Sequence, residues 1–324
     1  MGRGMTRILS LELARVTEAA AISSARWMGR GDKEAADQAA VDAMRAAFET
    51  IYIDGVVVIG EGELDEAPML YIGEQIGKGG DVQVDVAVDP VEGTELVAKG
   101  LPNSIAVVAI APRGSLLHAP DMYMDKLAVG PEAAGKIDIT KSPTENLHAI
   151  AEALGKHVCD LTVVILDRPR HEKMIEEIRK TGARIKLITA GDVAPAIATG
   201  FADSGVDVLM GIGGAPEGVL AAAALKCVGG EMQARLWPET EEEVKRTQEM
   251  MGIEDVRKVL YMDDLVMGDD VIFAATGITD GDLLRGVRFL PREAKTHTLV
   301  MRGRTGTTRF IEATHQFKKK KCFP

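Results

Sequence analysis

Residues 82–94 read Val-Gln-Val-Asp-Val-Ala-Val-Asp-Pro-Val-Glu-Gly-Thr, and this stretch constrains the fold more than any other. Valine at every second position from Val82 to Val88 is the pattern of a β-strand. The strand runs into Asp89. Pro90 has no amide to offer a neighbouring strand and is expected to end the pairing, and Gly93 lets the backbone turn. Asp89 and Glu92 are then held at a rigid strand end, beside the amides of Gly93 and Thr94 and the Thr94 hydroxyl. Oxygen-only ligands on a tight turn suit a hard cation such as Mg²⁺ or Mn²⁺. Amides next to such a cation suit a phosphate. The implied chemistry is metal-assisted work on a phosphate ester.

The rest of the chain narrows the class. Its 324 residues exceed a typical single core, so two packed domains are expected. Apolar content of 46% and charged content of 27% are those of an ordinary water-soluble protein. A net charge of -11 argues against nucleic acid as a partner, and means that an anionic substrate needs local metals or arginines. No apolar run approaches a membrane span, and Met1 to Ser10 has no secretory core. Cys159, Cys227 and Cys322 are widely spaced without a pairing pattern, which fits a reducing, cytoplasmic setting. The Lys318 to Lys321 run reads as a solvated tail.

Two rhythms divide the chain. Residues 8–28 carry apolar residues at helical spacing, Gly29-Arg-Gly31 breaks that helix, and Asp32 can cap a second one running to about Ile51. Strands are expected at Val56 to Ile59, Val82 to Val88, Ser104 to Ala111 and Tyr123 to Val129, with a helix around Met69 to Ile76. This half reads as an α+β mixed sheet with helices on it. From Leu161 strand and helix alternate: strands at Thr162 to Leu166, Ile185 to Ile188 and Val206 to Met210, and helices at His171 to Lys180, Val193 to Thr199 and Pro216 to Cys227. Such βαβ units predict a largely parallel sheet. Pro238 to Glu249 reads as a surface excursion, and strands near Val271 to Ala275 and Thr298 to Met301 close the chain. The expected domains are 1–158, metal-binding, and 159–324, substrate-binding.

Each candidate residue has a plainer reading beside it. Asp37 shares a helix face with Val41, Met44 and Phe48. A carboxylate on an apolar stripe is costly unless a cation offsets it; the alternative is a first-turn acid favoured by the helix dipole. Glu61 ends a strand between two glycines, which lets a ligand approach closely; Glu63, Asp65 and Glu66 after it can be an acidic surface turn. Thr94 can cap the helix Glu95 to Lys99, or help position a water. Arg168 and Arg170 flank Pro169 just past a strand, where their forks match phosphate oxygens; they can also be surface arginines. Gly211-Ile-Gly-Gly-Ala-Pro-Glu-Gly218 fails the dinucleotide test, because Pro216 stands where the third glycine is needed. Pro216 instead suits a helix start, leaving Glu217 in the first turn as a dipole-compensating acid or a metal ligand. The loops after the second-half strands, with Arg168-Pro-Arg170, Gly191-Asp192 and Gly211 to Glu217, are expected to share a crevice. The six histidines show no metal spacing, and neither a serine-hydrolase elbow nor a P-loop occurs.

Taken together, the segments resemble those of class II fructose-1,6-bisphosphatases, within the lithium-sensitive sugar-phosphatase superfamily. The superfamily's Asp-Pro-x-Asp/Glu-Gly-Thr motif stands as Asp89-Pro-Val-Glu-Gly-Thr94. Further similar segments are Trp27-Met-Gly-Arg-Gly-Asp32, Val58-Ile-Gly-Glu-Gly-Glu63, Glu66-Ala-Pro-Met-Leu-Tyr71, Ala119-Pro-Asp-Met-Tyr123, Arg168-Pro-Arg-His171, Gly213-Gly-Ala-Pro-Glu-Gly218 and Ala274-Ala-Thr-Gly-Ile278. The resemblance implies a layered αβαβα sandwich and removal of the 1-phosphate of fructose 1,6-bisphosphate, a gluconeogenic step. It implies two or more Mg²⁺ or Mn²⁺ ions on Asp37, Glu61, Asp89, Glu92 and Glu217, and catalytic roles for Thr94 and Glu61. Substrate contacts fall on Glu92, Gly93, Thr94, Tyr123, Arg168, Pro169, Arg170, Ala190, Gly191, Asp192 and Gly214. Where the family commonly has Asp-Gly-Asp, this chain has Ala190-Gly191-Asp192, so one expected acceptor for sugar hydroxyls is missing. A homo-oligomer, dimer or tetramer, is expected. The alternatives are a bifunctional fructose-1,6-/sedoheptulose-1,7-bisphosphatase and a non-catalytic sugar-phosphate sensor.

Overall fold

A computed structural model describes residues 5, 8–62, 69–252 and 254–317. Glu63, Asp65, Glu66, Lys318 to Lys321 and Cys322 lie outside the described residues. In chain order the elements are α1 (Ile8–Ala25), α2 (Lys33–Phe48), β1 (Asp54–Ile59), β2 (Gln75–Ile76), β3 (Gln83–Glu92), α3 (Thr94–Lys99) and β4 (Ile105–Pro112). Then come β5 (Tyr123–Val129), α4 (Pro143–Leu154), β6 (Thr162–Leu166), α5 (Glu172–Thr181), β7 (Arg184–Ile188), α6 (Val193–Ala198), β8 (Val208–Gly214), α7 (Ala215–Val228), β9 (Glu231–Trp237), α8 (Glu241–Met251) and α9 (Met262–Leu265). β10 (Ile272–Gly277), β11 (Arg288–Leu290), β12 (Glu293–Arg302) and β13 (Thr307–Gln316) follow. The α/β class expected from the sequence holds: the described residues form two mixed sheets with helices packed on them.

The chain divides into two compact units, Met1–Leu116 with Asp269–Pro324, and Leu117–Gly268. The sequence-based boundary at 158 falls inside the second unit. The pairing explains why: β5 hydrogen-bonds to β8 and β9, while β10 returns to β4.

In the first unit the sheet runs β11-β12-β10-β4-β3-β1-β2, with β13 added to β12. One face is covered by α1 and α2, whose Leu13, Val16, Ile22, Met44 and Phe48 pack with Val57, Val86, Val108 and Ile272. Each such buried side chain contributes about 1.5–3 kcal/mol of transfer free energy. Asp32 caps α2 by accepting from the Ala35 amide at 2.9 Å. β1 and β3 are parallel neighbours, with Ile59 opposite Ala87. Two residues on from each lie Glu61 and Asp89, so parallel pairing delivers both acids to the same sheet end. Pro90 interrupts β3 without ending it: the register to β4 shifts between Asp89 and Glu92, and pairing resumes at Glu92–Ile105. The helix expected around 69–76 is not formed. Leu70 and Gly73 have positive φ, 56° and 93°, which no right-handed helix tolerates, and Gln75–Ile76 pairs with β1 instead. Glu74 anchors this turn by accepting from the Leu70 amide and, at 2.5 Å, from Arg45 Nε.

In the second unit the sheet order is β7-β6-β8-β5-β9. β7, β6 and β8 are parallel, as the βαβ reading expects; β5 and β9 are antiparallel to their neighbours. Leu127, Val129, Val163, Ile165, Val208 and Met210 bury one face against Leu147, Ile150, Ile175 and Ile178 of α4 and α5. α6 and α7 pack on the sheet as well. The expected surface excursion is the largely exposed α8, capped by Thr240.

Candidate active site

Unit one gathers acids. Asp37, in α2, is half-buried, although its stripe partners Val41, Met44 and Phe48 are fully buried. It shares a side-chain hydrogen bond with Glu61, beyond the end of β1, and burial raises its pKa against the lowering effect of that bond. Two carboxyl groups share a hydrogen bond only while one keeps its proton; a divalent cation at that place would replace the proton. That acid-on-acid contact, joining a helix to a strand end, is how the residues present fit a hard cation. Asp89 bends back on its own turn, accepting from the Val91 amide at 3.0 Å. Glu92 is 3% exposed, and its carbonyl accepts from the Ser104 hydroxyl at 2.9 Å. Among the described residues no three His, Cys, Asp or Glu side chains are gathered closely enough to enclose a metal ion. The structure brings Asp37 and Glu61 into contact and sets Asp89 and Glu92 along the adjoining strand end.

Gly93 makes the corner between β3 and α3. Its φ is +84°, and a methyl group there would lie 2.8 Å from Leu96 Cδ1, so both conformation and space require glycine. The helix begins at Thr94, with Gly93 as the cap residue and no side-chain cap bond. The capping reading of Thr94 is therefore replaced: the threonine is the first helical residue, half-buried beside Glu92.

Unit two gathers cations, glycines and two acids. Arg170 Nε and Nη2 both donate to the Ile212 carbonyl, at 3.2 and 2.8 Å. Its guanidinium lies over the Tyr123 ring, 4.4 Å from the centroid, a cation–π contact that fixes both residues. Arg168 donates to the carbonyls of Asp167 (2.9 Å) and Thr189 (2.7 Å), which ties the Pro169 turn to the segment leading into Ala190-Gly191-Asp192. Tyr123 faces Gly214 across β5 and β8. The residues named from this unit, Tyr123, Arg168, Pro169, Arg170, Asp192 and Gly214, thus form one connected set at the β8 end.

Glu217 completes the set. Its carboxyl folds back onto Gly214, where a methyl group would overlap it. Burial is the main influence and raises its pKa; Lys126 pulls it down and Asp192 pushes it up. Those influences identify a residue that reading the sequence passed over. Lys126, in β5, is 2% exposed, and its ammonium meets Asp192 Oδ2 at 2.5 Å and the Gly214 carbonyl at 3.0 Å. His171 was also overlooked. It is buried, its Nε2 accepts from the Ile212 amide and its Nδ1 then donates to the Leu166 carbonyl, both at 2.7 Å. Burial lowers its pKa, which suits this neutral form. Ile212 is thus gripped at both backbone groups, by His171 and Arg170, where β6 no longer pairs with β8.

Known proteins match this chain over nearly its whole length. A family model described as "Bacterial fructose-1,6-bisphosphatase, glpX-encoded" matches residues 7–315. A protein of Synechococcus sp. (strain JA-3-3Ab) named D-fructose 1,6-bisphosphatase class 2/sedoheptulose 1,7-bisphosphatase is 50% identical, over 96% of this chain and 96% of its own. The like-named protein of Synechococcus sp. (strain JA-2-3B'a(2-13)) is also 50% identical, with the same coverage of both chains. That of Trichodesmium erythraeum (strain IMS101) is 47% identical, over 98% of this chain and 99% of its own.

Proposed function

Because the chain belongs to the bacterial fructose-1,6-bisphosphatase family, a family of metal-dependent phosphatases, we propose that it hydrolyses the 1-phosphate of fructose 1,6-bisphosphate, giving fructose 6-phosphate and phosphate. The observation that carries the reading is the family match over residues 7–315; the Asp37–Glu61 hydrogen bond, at the sheet end that parallel β1 and β3 share with Asp89, supports its metal part. Asp37, Glu61, Asp89 and Glu92 are the acids that would hold Mg²⁺ or Mn²⁺, two or more; Glu217 is the candidate ligand of the second unit. Such ions, when bound, lower the pKa of a water and neutralise the leaving oxygen. Thr94 orients the attacking water, and Glu61 is the acid–base group beside it. Arg170 and Arg168 take the distal phosphate, with Tyr123 holding Arg170 in plane. Asp192, with the Gly191 and Gly214 backbone, accepts or donates to sugar hydroxyls. The names of the relatives favour a second substrate, sedoheptulose 1,7-bisphosphate, for the same residues. Among the described residues no helix is long and apolar enough to cross a membrane; a cytoplasmic homo-oligomer is the working expectation.

The test is phosphate release from both bisphosphates with Mg²⁺ or Mn²⁺, with and without chelator. Metal-dependent release from fructose 1,6-bisphosphate is expected. Release that persists in chelator, or none from either bisphosphate, would remove the reading.

A further inference from the structure

Lys126 sits where a lysine is expensive. It lies on the sheet face of β5 shared with Met124 and Ala128, its side chain 1% exposed, and a buried ammonium is tolerated only when paired and hydrogen-bonded. Two glycines, Gly213 and Gly218, make the room, and a third, Gly214, makes room for the neighbouring Glu217. A methyl group on Gly218, in the first turns of α7, would lie 3.3 Å from Lys126 Cδ and 2.6 Å from Met124 Sδ. One on Gly213 would overlap Asp192 Oδ2 and come within 2.8 Å of Lys126 Nζ. One on Gly214 would overlap Glu217. The Gly214 carbonyl, 3.0 Å away, fixes the ammonium, and the ammonium fixes Asp192 at 2.5 Å.

We propose that Lys126 is a positioning residue for sugar recognition: clamped to the β8 end by Gly214, it holds one Asp192 oxygen and so aims the other at the substrate's hydroxyls. The proposal rests on the reading of Asp192 as a sugar contact given above. It also accounts for the chain's investment in space. A pair that only stabilised the fold could be replaced by apolar side chains of similar volume at little cost, whereas an aimed carboxylate cannot. With Ala190 in place of a second acid, Asp192 is the carboxylate of this loop, so its orientation decides how the loop meets a hydroxyl.

The experiment uses the full chain in chelator and measures fructose 6-phosphate binding by calorimetry, with the thermal midpoint recorded for each variant. Lys126→Met is expected to weaken binding tenfold or more. Arg235→Met is the control, because Arg235 pairs with Asp125 at 3.0 Å between the same β5 and its neighbour β9. It is expected to lower the midpoint while leaving affinity within about twofold, a change of less than about 0.5 kcal/mol. If Lys126→Met behaves like the control, the positioning role is lost. Asp192→Asn separates the two levels of argument. If it leaves affinity unchanged, the reading of Asp192 itself fails; if it weakens binding while Lys126→Met does not, only the lysine proposal fails. Should Lys126→Met not fold, the double variant Lys126→Met/Asp192→Asn removes both charges together. The double variant is expected to bind within about twofold of Asp192→Asn alone, because the two residues act as one device. A further tenfold loss would mean that Lys126 meets the sugar by itself and would overturn the positioning role.

Discussion

In the first unit an acid meets an acid, Asp37 against Glu61; in the second an acid meets a cation, Asp192 against Lys126. The difference is one of completeness. An acid–acid contact must keep a proton or take up a cation, and the proposed metal site would use the second of these. An acid–ammonium contact is already neutralised inside the protein, and what it offers a ligand is direction. The contrast divides most of the proposed labour: charge neutralisation by the acids of the first unit, joined by Glu217 of the second, and recognition of sugar and distal phosphate by the second.

The largest expected effect tests the first half of that contrast. Asp89→Asn or Glu92→Gln should lower turnover by about 10³-fold or more, the scale of several kcal/mol of lost charge stabilisation. Thermal midpoints should change little. Near wild-type rates in either variant at saturating metal would break the division. Next is Thr94→Ala, expected to reduce kcat by about 10²-fold with a smaller change in KM. Thr94→Ser should recover much of the rate. Equal, high activity of both variants would reduce the residue to a helix start.

Arg170→Ala sharpens the second half. A charge-assisted bidentate contact is worth about 1.5–3 kcal/mol, so KM for fructose 1,6-bisphosphate should rise very roughly 10- to 150-fold. On p-nitrophenyl phosphate, which has no distal group, the effect should largely vanish. Arg170 also supports the Ile212 carbonyl and the Tyr123 ring, so equal losses on both substrates would assign it to scaffolding. Arg170→Lys should rescue only in part, since a point charge cannot reproduce a fork.

The smallest effect concerns pH. Burial depresses the His171 pKa below its unfolded value of about 6.5. The unfolded chain therefore binds this proton first as pH falls. The stabilisation is whole above about 6.5 and is lost as pH drops through the folded pKa. Arg170 and Arg168 reinforce the depression, while the Leu166 carbonyl and Asp125 oppose it. The thermal midpoint should be lower at pH 5.5 than at pH 7.5, and the drop should shrink in His171→Gln. Identical drops would place the pH dependence elsewhere.

What the sequence disclosed follows physical locality. β3 was legible because alternating valines and the Gly93 corner act within one segment, although Pro90 did not end it, and α2 because its stripe and its Asp32 cap do. The turn at 69–76 was misread as a helix, since a carboxylate from Glu74, an arginine from α2 and positive φ angles at Leu70 and Gly73 decide it. Lys126 was hidden inside a strand that reads as ordinary. The signal was there: Asp125 and Lys126 are opposite charges side by side in a strand otherwise of Tyr, Met, Leu, Ala and Val, which leaves each face with a charge to neutralise. The same limit explains the boundary near 158. Nothing local to β5 or β10 says which sheet it will join.

That choice of partners has a consequence for how the protein is made. The chain leaves the first sheet after β4 and comes back to pair with that same strand, Ile110 opposite Ile272, after all of Leu117–Gly268 has been laid down. During synthesis from the N-terminus, the inserted unit is complete before β10 has emerged. Until then β4, apolar from Ile105 to Ala111, stands as a bare sheet edge, the kind of surface on which nascent chains join one another. Chains cut short between the two units carry that edge permanently and should be the aggregation-prone products of this gene, whereas a circular permutant opening with β10 would cover β4 as soon as it appears.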